Sequence, residues 1–163
     1  AMNPCPCGNY PDMQKCSCTP RQIEQYLGKI SQPFLDRMDL CIETPRVQYQ
    51  ELEATKKEET SEVIRKRVSI ARDIQKERYK TGKADTNAML GPREIATYVR
   101  LGKEEKELME QAFERLGLTA RTYHKILRVA RTIADLEQST EVKSIHLKEA
   151  IGYRSLDKKY WGR

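Results

Sequence analysis

Apolar residues recur with a helical period along most of the chain, and the pattern is most regular over Leu116–Glu137. There Tyr123, Ile126, Leu127, Ala130, Ile133 and Ala134 follow the i, i+3, i+4, i+7 spacing of one helix face. Thr119 is placed to accept from the first free backbone N–H groups, and Gly117 suits the end of a preceding helix. Arg121, Lys125, Arg128 and Arg131 fall on the other side, with no acid until Asp135. The segment reads as an amphipathic helix, buried along one face and cationic along the other. Such a cationic face is either solvated or matched to an anion, such as the phosphate of a nucleotide or of a nucleic acid backbone.

The same period predicts further helices. Thr19-Pro20-Arg21-Gln22 is a helix start, followed by an apolar stripe of Ile23, Tyr26, Leu27 and Ile30. Pro33 ends that helix and Phe34 begins another turn. A long helix runs from a cap at Thr60 or Ser61 to about Tyr79, with Val63, Ile64, Val68, Ala71 and Ile74 on its predicted buried side. Pro92 opens a short helix with Ile95, Ala96 and Val99. An acidic helix over Lys103–Leu116 is expected to bury Leu108, Met109, Ala112, Phe113 and Leu116. Ser144 caps a last helix carrying Leu147, Ala150 and Ile151, and the aromatic tail residues Tyr153, Tyr160 and Trp161 are expected to pack against the bundle. Asp39–Glu43 departs from the helical rhythm: Leu40 and Ile42 alternate with Cys41, which predicts a brief strand. One strand is not stable by itself, so its sheet is expected outside this sequence.

The fold class is therefore mainly α. A helical bundle is expected over 60–163, a polar linker over 48–59, and a Cys-rich hairpin with a truncated α/β edge over 1–47. Composition agrees: 163 residues suffice for one proper core, with 38% hydrophobic and 33% charged residues. No run approaches the ~20 apolar residues of a membrane span, and the N-terminus lacks a signal-peptide pattern, so a cytoplasmic location is expected. The net charge of +6 admits nucleic acid as a partner but does not select it.

Cys5, Cys7, Cys16 and Cys18 form two C-x-C pairs in a Pro/Gly/Asn-rich stretch, while Cys41 stands apart. In a reducing compartment four clustered thiols point to a metal rather than to disulfides. Soft thiolates favour Zn²⁺, and four of them fill a tetrahedral shell, which predicts a structural and not a catalytic ion.

Several runs together resemble the magnesium-chelatase-subunit-like AAA+ ATPases, in particular the bacterial ComM/YifB branch, associated with DNA branch migration. The residues that carry the resemblance are Met2-Asn3-Pro4-Cys5-Pro6-Cys7-Gly8, Cys16-Ser17-Cys18-Thr19-Pro20 and Phe34-Leu35-Asp36-Arg37-Met38-Asp39. Ser61–Gln75, Leu118–Glu137 and Arg154-Ser155-Leu156-Asp157 add to them. The resemblance implies that Asn3 orients the water attacking a γ-phosphate. It implies that Arg37 is an arginine finger reaching a neighbouring subunit's nucleotide, and that Arg121 reaches the nucleotide of its own subunit from the helical lid. Gln32 departs from the pattern, standing where these proteins commonly carry Gly before Pro33.

The sequence holds neither a G-x-x-x-x-G-K-[ST] phosphate loop nor a Walker B strand. The chain is thus expected to be the C-terminal part of a longer ATP hydrolase and not an ATPase alone. ATP and Mg²⁺ belong to the parent, with its AAA+ core and a hexameric ring as partners and DNA as the target. Lys125, Arg128 and Arg131 are the candidate DNA contacts. Two other readings stay open: a free-standing zinc-containing nucleic-acid-binding module, and a protein-remodelling or metal-chelatase motor subunit.

Overall fold

The helix start at Thr19 forms as the sequence predicts in the computed structural model, which describes residues 1–45, 47, 49, 58–82 and 84–161, for 155–158 the backbone only. Most of the linker expected at 48–59 therefore lies outside the described residues. In α1 (Pro20–Leu27) Thr19 and Gln22 cap each other's backbone N–H groups, at 2.8 Å and 3.3 Å, a reciprocal box that satisfies two otherwise orphaned donors. A four-residue helix, α2 (Gln32–Leu35), follows with Pro33 in its first turn.

The chain divides into two compact units, Ala1–Cys41 with Tyr153–Arg163, and Ile42–Gly152. The sequence reading divided it at 48–59 alone. In the first unit Cys5, Ile23 and Leu27 form a small core, against which Cys7, Tyr10, Cys16, Cys18, Tyr26, Tyr160 and Trp161 pack. The indole N–H of Trp161 donates to the Leu27 carbonyl at 2.9 Å, and Tyr10 meets Tyr160 edge to face at 6.1 Å. Tyr160 and Trp161 thus pack on the Cys-rich unit and not, as expected, on the helical bundle.

The strand expected at Asp39–Glu43 does not form, and no strand is present among the described residues. Leu40 and Ile42 are exposed, and a backbone bond from Cys41 N–H to the Tyr153 carbonyl at 3.1 Å joins this stretch to a helix rather than to a second strand. Without a partner ladder the alternating pattern has nothing to pair with.

The second unit is built from α3 (Ser61–Tyr79), a 3-10 turn (Asn87–Met89), α4 (Pro92–Tyr98), α5 (Lys103–Leu116), α6 (Ala120–Leu136) and the first part of α7 (Ser144–Trp161). The central element is α6, which packs against α3, the 3-10 turn and α4. Its predicted stripe holds: Ile126, Leu127, Ala130, Ile133 and Ala134 are buried. Thr119 caps it at 3.2 Å, and Gly117 ends α5 in the left-handed region at φ 55°, where a residue with a Cβ would be strained. The buried side expected for α3 is corrected. Every residue over 61–70 is exposed, Val63, Ile64 and Val68 included, and burial is confined to Ala71, Gln75 and Tyr79. In α5 Met109 and Ala112 are buried, but Phe113 is exposed at the rim, meeting Tyr123 edge to face.

Candidate functional site

Cys5-Pro6-Cys7-Gly8 closes into a turn through a bond from Gly8 N–H to the Cys5 carbonyl at 3.0 Å. Gly8 sits at φ 78°, a conformation that favours glycine, and the space a Cβ would take there lies 3.6 Å from the Asn3 side chain. Two successive turns over Asn9–Cys16, with Asp12 N–H on the Asn9 carbonyl at 2.9 Å and Cys16 N–H on the Asp12 carbonyl at 2.8 Å, fold the second pair back onto the first.

The result is a thiol cluster. Cys5 and Cys7 Sγ are 3.4 Å apart, Cys7 and Cys16 3.6 Å, Cys5 and Cys16 3.8 Å, and all four sulfurs lie within 4.8 Å of one another. Four thiolates at ~2.3 Å from a tetrahedral ion would stand ~3.8 Å apart. Nitrogen donors surround them as well: Tyr10 N–H on Cys5 Sγ at 3.4 Å and Asn9 Nδ2 on Cys7 Sγ at 3.7 Å. Electrostatics separate the thiols. The Asn9 backbone N–H draws Cys7 down to about 5. At Cys18 the Cys7 backbone N–H favours the thiolate, but burial and the thiols of Cys7 and Cys5 outweigh it and push the group up to about 12. Cys5 is lowered as Cys7 is, and Cys16 is raised as Cys18 is, a crowding of negative charge that a divalent cation would relieve. The geometry and the donor set fit a metal ion held by all four cysteines.

The predicted arginines fall in different places. Asn3 is exposed beside Gly8, and Arg37 is exposed in the turn that leaves α2. Arg121 is exposed in the first turn of α6, at the helix end whose dipole is positive, and its side chain makes no hydrogen bond or ion pair with the described residues. Lys125 and Arg128 are half-buried.

Arg131 does not join a cationic face, which corrects the expectation for it. It is 2% exposed, its Nε donates to Asp135 at 3.1 Å, and its terminal nitrogens reach the carbonyls of Thr140 and Ser139. Burial lowers its pKa, the attraction of Asp135 notwithstanding. Asp135, fully buried, also accepts from Arg78 at 2.9 Å and from Asn87 Nδ2 at 2.8 Å. Tyr79 donates to Asn87 Oδ1 at 2.6 Å, and Gln75 accepts from the Asn87 backbone at 3.1 Å. For Arg78 burial works against the charge, but its bonds to Asp135 leave the pKa above the usual arginine value. Sequence reasoning missed this network. Its one visible signal was the spacing of Arg131 and Asp135, a helical i, i+4 pair.

Two family profiles match the chain: Magnesium chelatase, subunit ChlI C-terminal, over residues 58–154, and Magnesium chelatase, subunit ChlI, over residues 1–52. The chain is 43% identical over 157 residues to the competence protein ComM of Haemophilus influenzae, across 96% of this chain and 30% of that protein. It is 40% and 39% identical over 159 residues to the YifB proteins of Salmonella typhimurium and Escherichia coli, across 97% of this chain and 30% of each. It thus spans about 30% of the length of these relatives. With one profile covering more than half of the chain and the other most of what precedes it, the chain belongs to the magnesium chelatase ChlI family, as a ComM/YifB-like member.

Proposed function

We propose that this chain is the lid-bearing C-terminal part of an AAA+ ATP hydrolase that assembles as a hexameric ring and moves DNA, in the manner of a branch-migration helicase. Phosphoryl transfer spreads negative charge over the oxygens of the transferred group, and a fixed guanidinium stabilises that charge better than a mobile ammonium. In this reading Arg121 approaches the nucleotide of its own subunit, Arg37 that of a neighbour, and the Asn3 amide orients the attacking water. ATP and Mg²⁺ are held by residues of the parent outside this chain, which carries no phosphate loop. Zn²⁺ is held by Cys5, Cys7, Cys16 and Cys18; with its shell full it supplies no activated water and acts as a structural brace.

The observation that carries the reading is Arg121. Among the arginines of α6, Arg131 is consumed by buried partners, whereas Arg121 is presented at the positive helix end with its donors uncommitted among the described residues. The test is ATP turnover by the full-length parent, with and without single-stranded or branched DNA, for wild type and Arg121→Ala. DNA should stimulate turnover, and Arg121→Ala should lower kcat by roughly 10²–10³, the usual effect of removing one group that stabilises transition-state charge. Turnover indifferent to DNA would move the target to a protein, and unchanged turnover in Arg121→Ala would remove the role given to Arg121.

A further inference from the structure

Arg37 is carried by very little structure of its own. The helix before it, α2, has four residues, too few to be stable unaided, and Arg37 leaves it through a turn in which Arg37 N–H reaches Phe34 and Met38 N–H reaches Leu35, both at 3.0 Å. Two carbonyls flank Arg37: that of Met38, beyond the helix end, and that of Leu35, which already accepts from Met38 N–H. Both are taken by one side chain from the far end of the sequence, Arg154 of α7. Its Nη1 donates to the Met38 carbonyl at 2.7 Å, and both terminal nitrogens reach the Leu35 carbonyl at 3.4 Å. Asp36 Oδ1 stands 4.0 Å from its Nη2. Arg154 is 4% exposed.

Its neighbour adds a second hold, since the Tyr153 carbonyl accepts from Cys41 N–H at 3.1 Å. Leu35, buried beneath the turn, anchors it from inside, while Arg37 itself is exposed. The segment bearing Arg37 is therefore fastened before and after that residue. A planar fork can bond two carbonyls at once, which an ammonium on a flexible stem does not reproduce.

We propose that Arg154 is the positioning residue for Arg37, fixing the turn from which the Arg37 guanidinium reaches a neighbouring subunit's nucleotide. This rests on the role given to Arg37 above. It assigns Arg154 no contact with the nucleotide.

The test uses the full-length parent with Arg37→Ala, Arg154→Ala, Arg154→Lys and the double variants of Arg37→Ala with each. Ring assembly is followed by sedimentation, and kcat and KM for ATP are measured on assembled protein. Arg37→Ala is expected to lower kcat about 10³-fold, the low end for a lost arginine finger. Both Arg154 variants are expected to lower kcat about 10²-fold with KM little changed, as for a misplacement near 1 Å. The doubles should be no slower than Arg37→Ala alone, because a lost group cannot be misplaced. If Arg154→Ala does not fold, Arg154→Lys, which keeps the charge and stem, carries the same comparison. Losses that multiply in the doubles, or Arg154→Lys turning over at the wild-type rate, would overturn the proposal while leaving Arg37 its role. Unchanged turnover in Arg37→Ala would overturn that role and the proposal with it.

Discussion

Replacing Asp135 by alanine isolates the forces that hold the second unit together. The carboxylate is fully buried and accepts from Arg78, Arg131 and Asn87, so its removal strips three donors of an acceptor at once. Arg131, 2% exposed, keeps only the carbonyls of Ser139 and Thr140, and its charge stays buried without a counter-ion beside it. Arg78 suffers less, because its side chain is 17% exposed and can turn toward water. Summing bonds would overstate the cost, since the three share one acceptor. The relevant comparison is a buried ion pair broken on one side, which costs about 3–5 kcal/mol. For a domain stable by about 5–15 kcal/mol that is a large share, and for about 100 residues it lowers the melting midpoint by roughly 12 °C or more. Urea unfolding of the 163-residue chain, followed by circular dichroism at pH 7, reads it directly. Arg131→Ala should cost less than Asp135→Ala, because Asp135 keeps Arg78 and Asn87. An Asp135→Ala variant within 1 kcal/mol of wild type would show that the network does not hold α3 to α6 and would refute the reasoning.

Two further outcomes are expected. The Ser144 hydroxyl lies 2.7 Å from Glu105 and, as the largest cause, holds its pKa below the ordinary 4.5. A depressed carboxyl pKa adds stability above the unfolded value and loses it as pH falls through the folded one, so the cost of Ser144→Ala in urea unfolding should be full at pH 7 and fade as pH drops below 4.5; a cost that grows on acidification would contradict the assignment. The purified chain should carry one zinc ion by elemental analysis, with less in Cys5→Ser. Because the single tryptophan, Trp161, packs on the core that holds Cys5, chelation should also red-shift its emission. Full zinc retention in Cys5→Ser would remove Cys5 from the ligand set.

Local chemistry was the legible part of this chain. Thr19 with Gln22, Thr60, Gly117 and Thr119 all cap or end helices where the residue types predict, because a cap needs only its own few neighbours. The stripe of α6 was equally plain, and the two C-x-C pairs foretold a cluster. What failed depended on partners distant in sequence. Periodicity gave α3 an apolar face at Val63, Ile64 and Val68 but carries no information on whether anything covers it. Arg131 was read as part of an outward cationic face and a candidate DNA contact because a helical projection sorts residues by polarity, and a buried arginine whose acceptors are Asp135 and a following loop looks the same on it. Arg154 was visible only as part of a motif. Its partners, Leu35 and Met38, stand at the other end of the chain.

That separation also governs when the first unit can form. Leu27 and Trp161, joined by a hydrogen bond, are 134 residues apart. During synthesis the thiol turn and α1 emerge well before the aromatic lid on their core and the guanidinium beneath the Arg37 turn. Closing so long a loop adds only slowly to the entropic cost, about 0.6 kcal/mol per doubling of length, so the finished unit loses little stability by it. The delay is kinetic: contacts of such high sequence separation come late and slow folding. Until the ribosome has delivered residue 161, Ile23 and Leu27 face solvent on the side that Trp161 covers, and a nascent chain halted before that point would expose the patch to other chains.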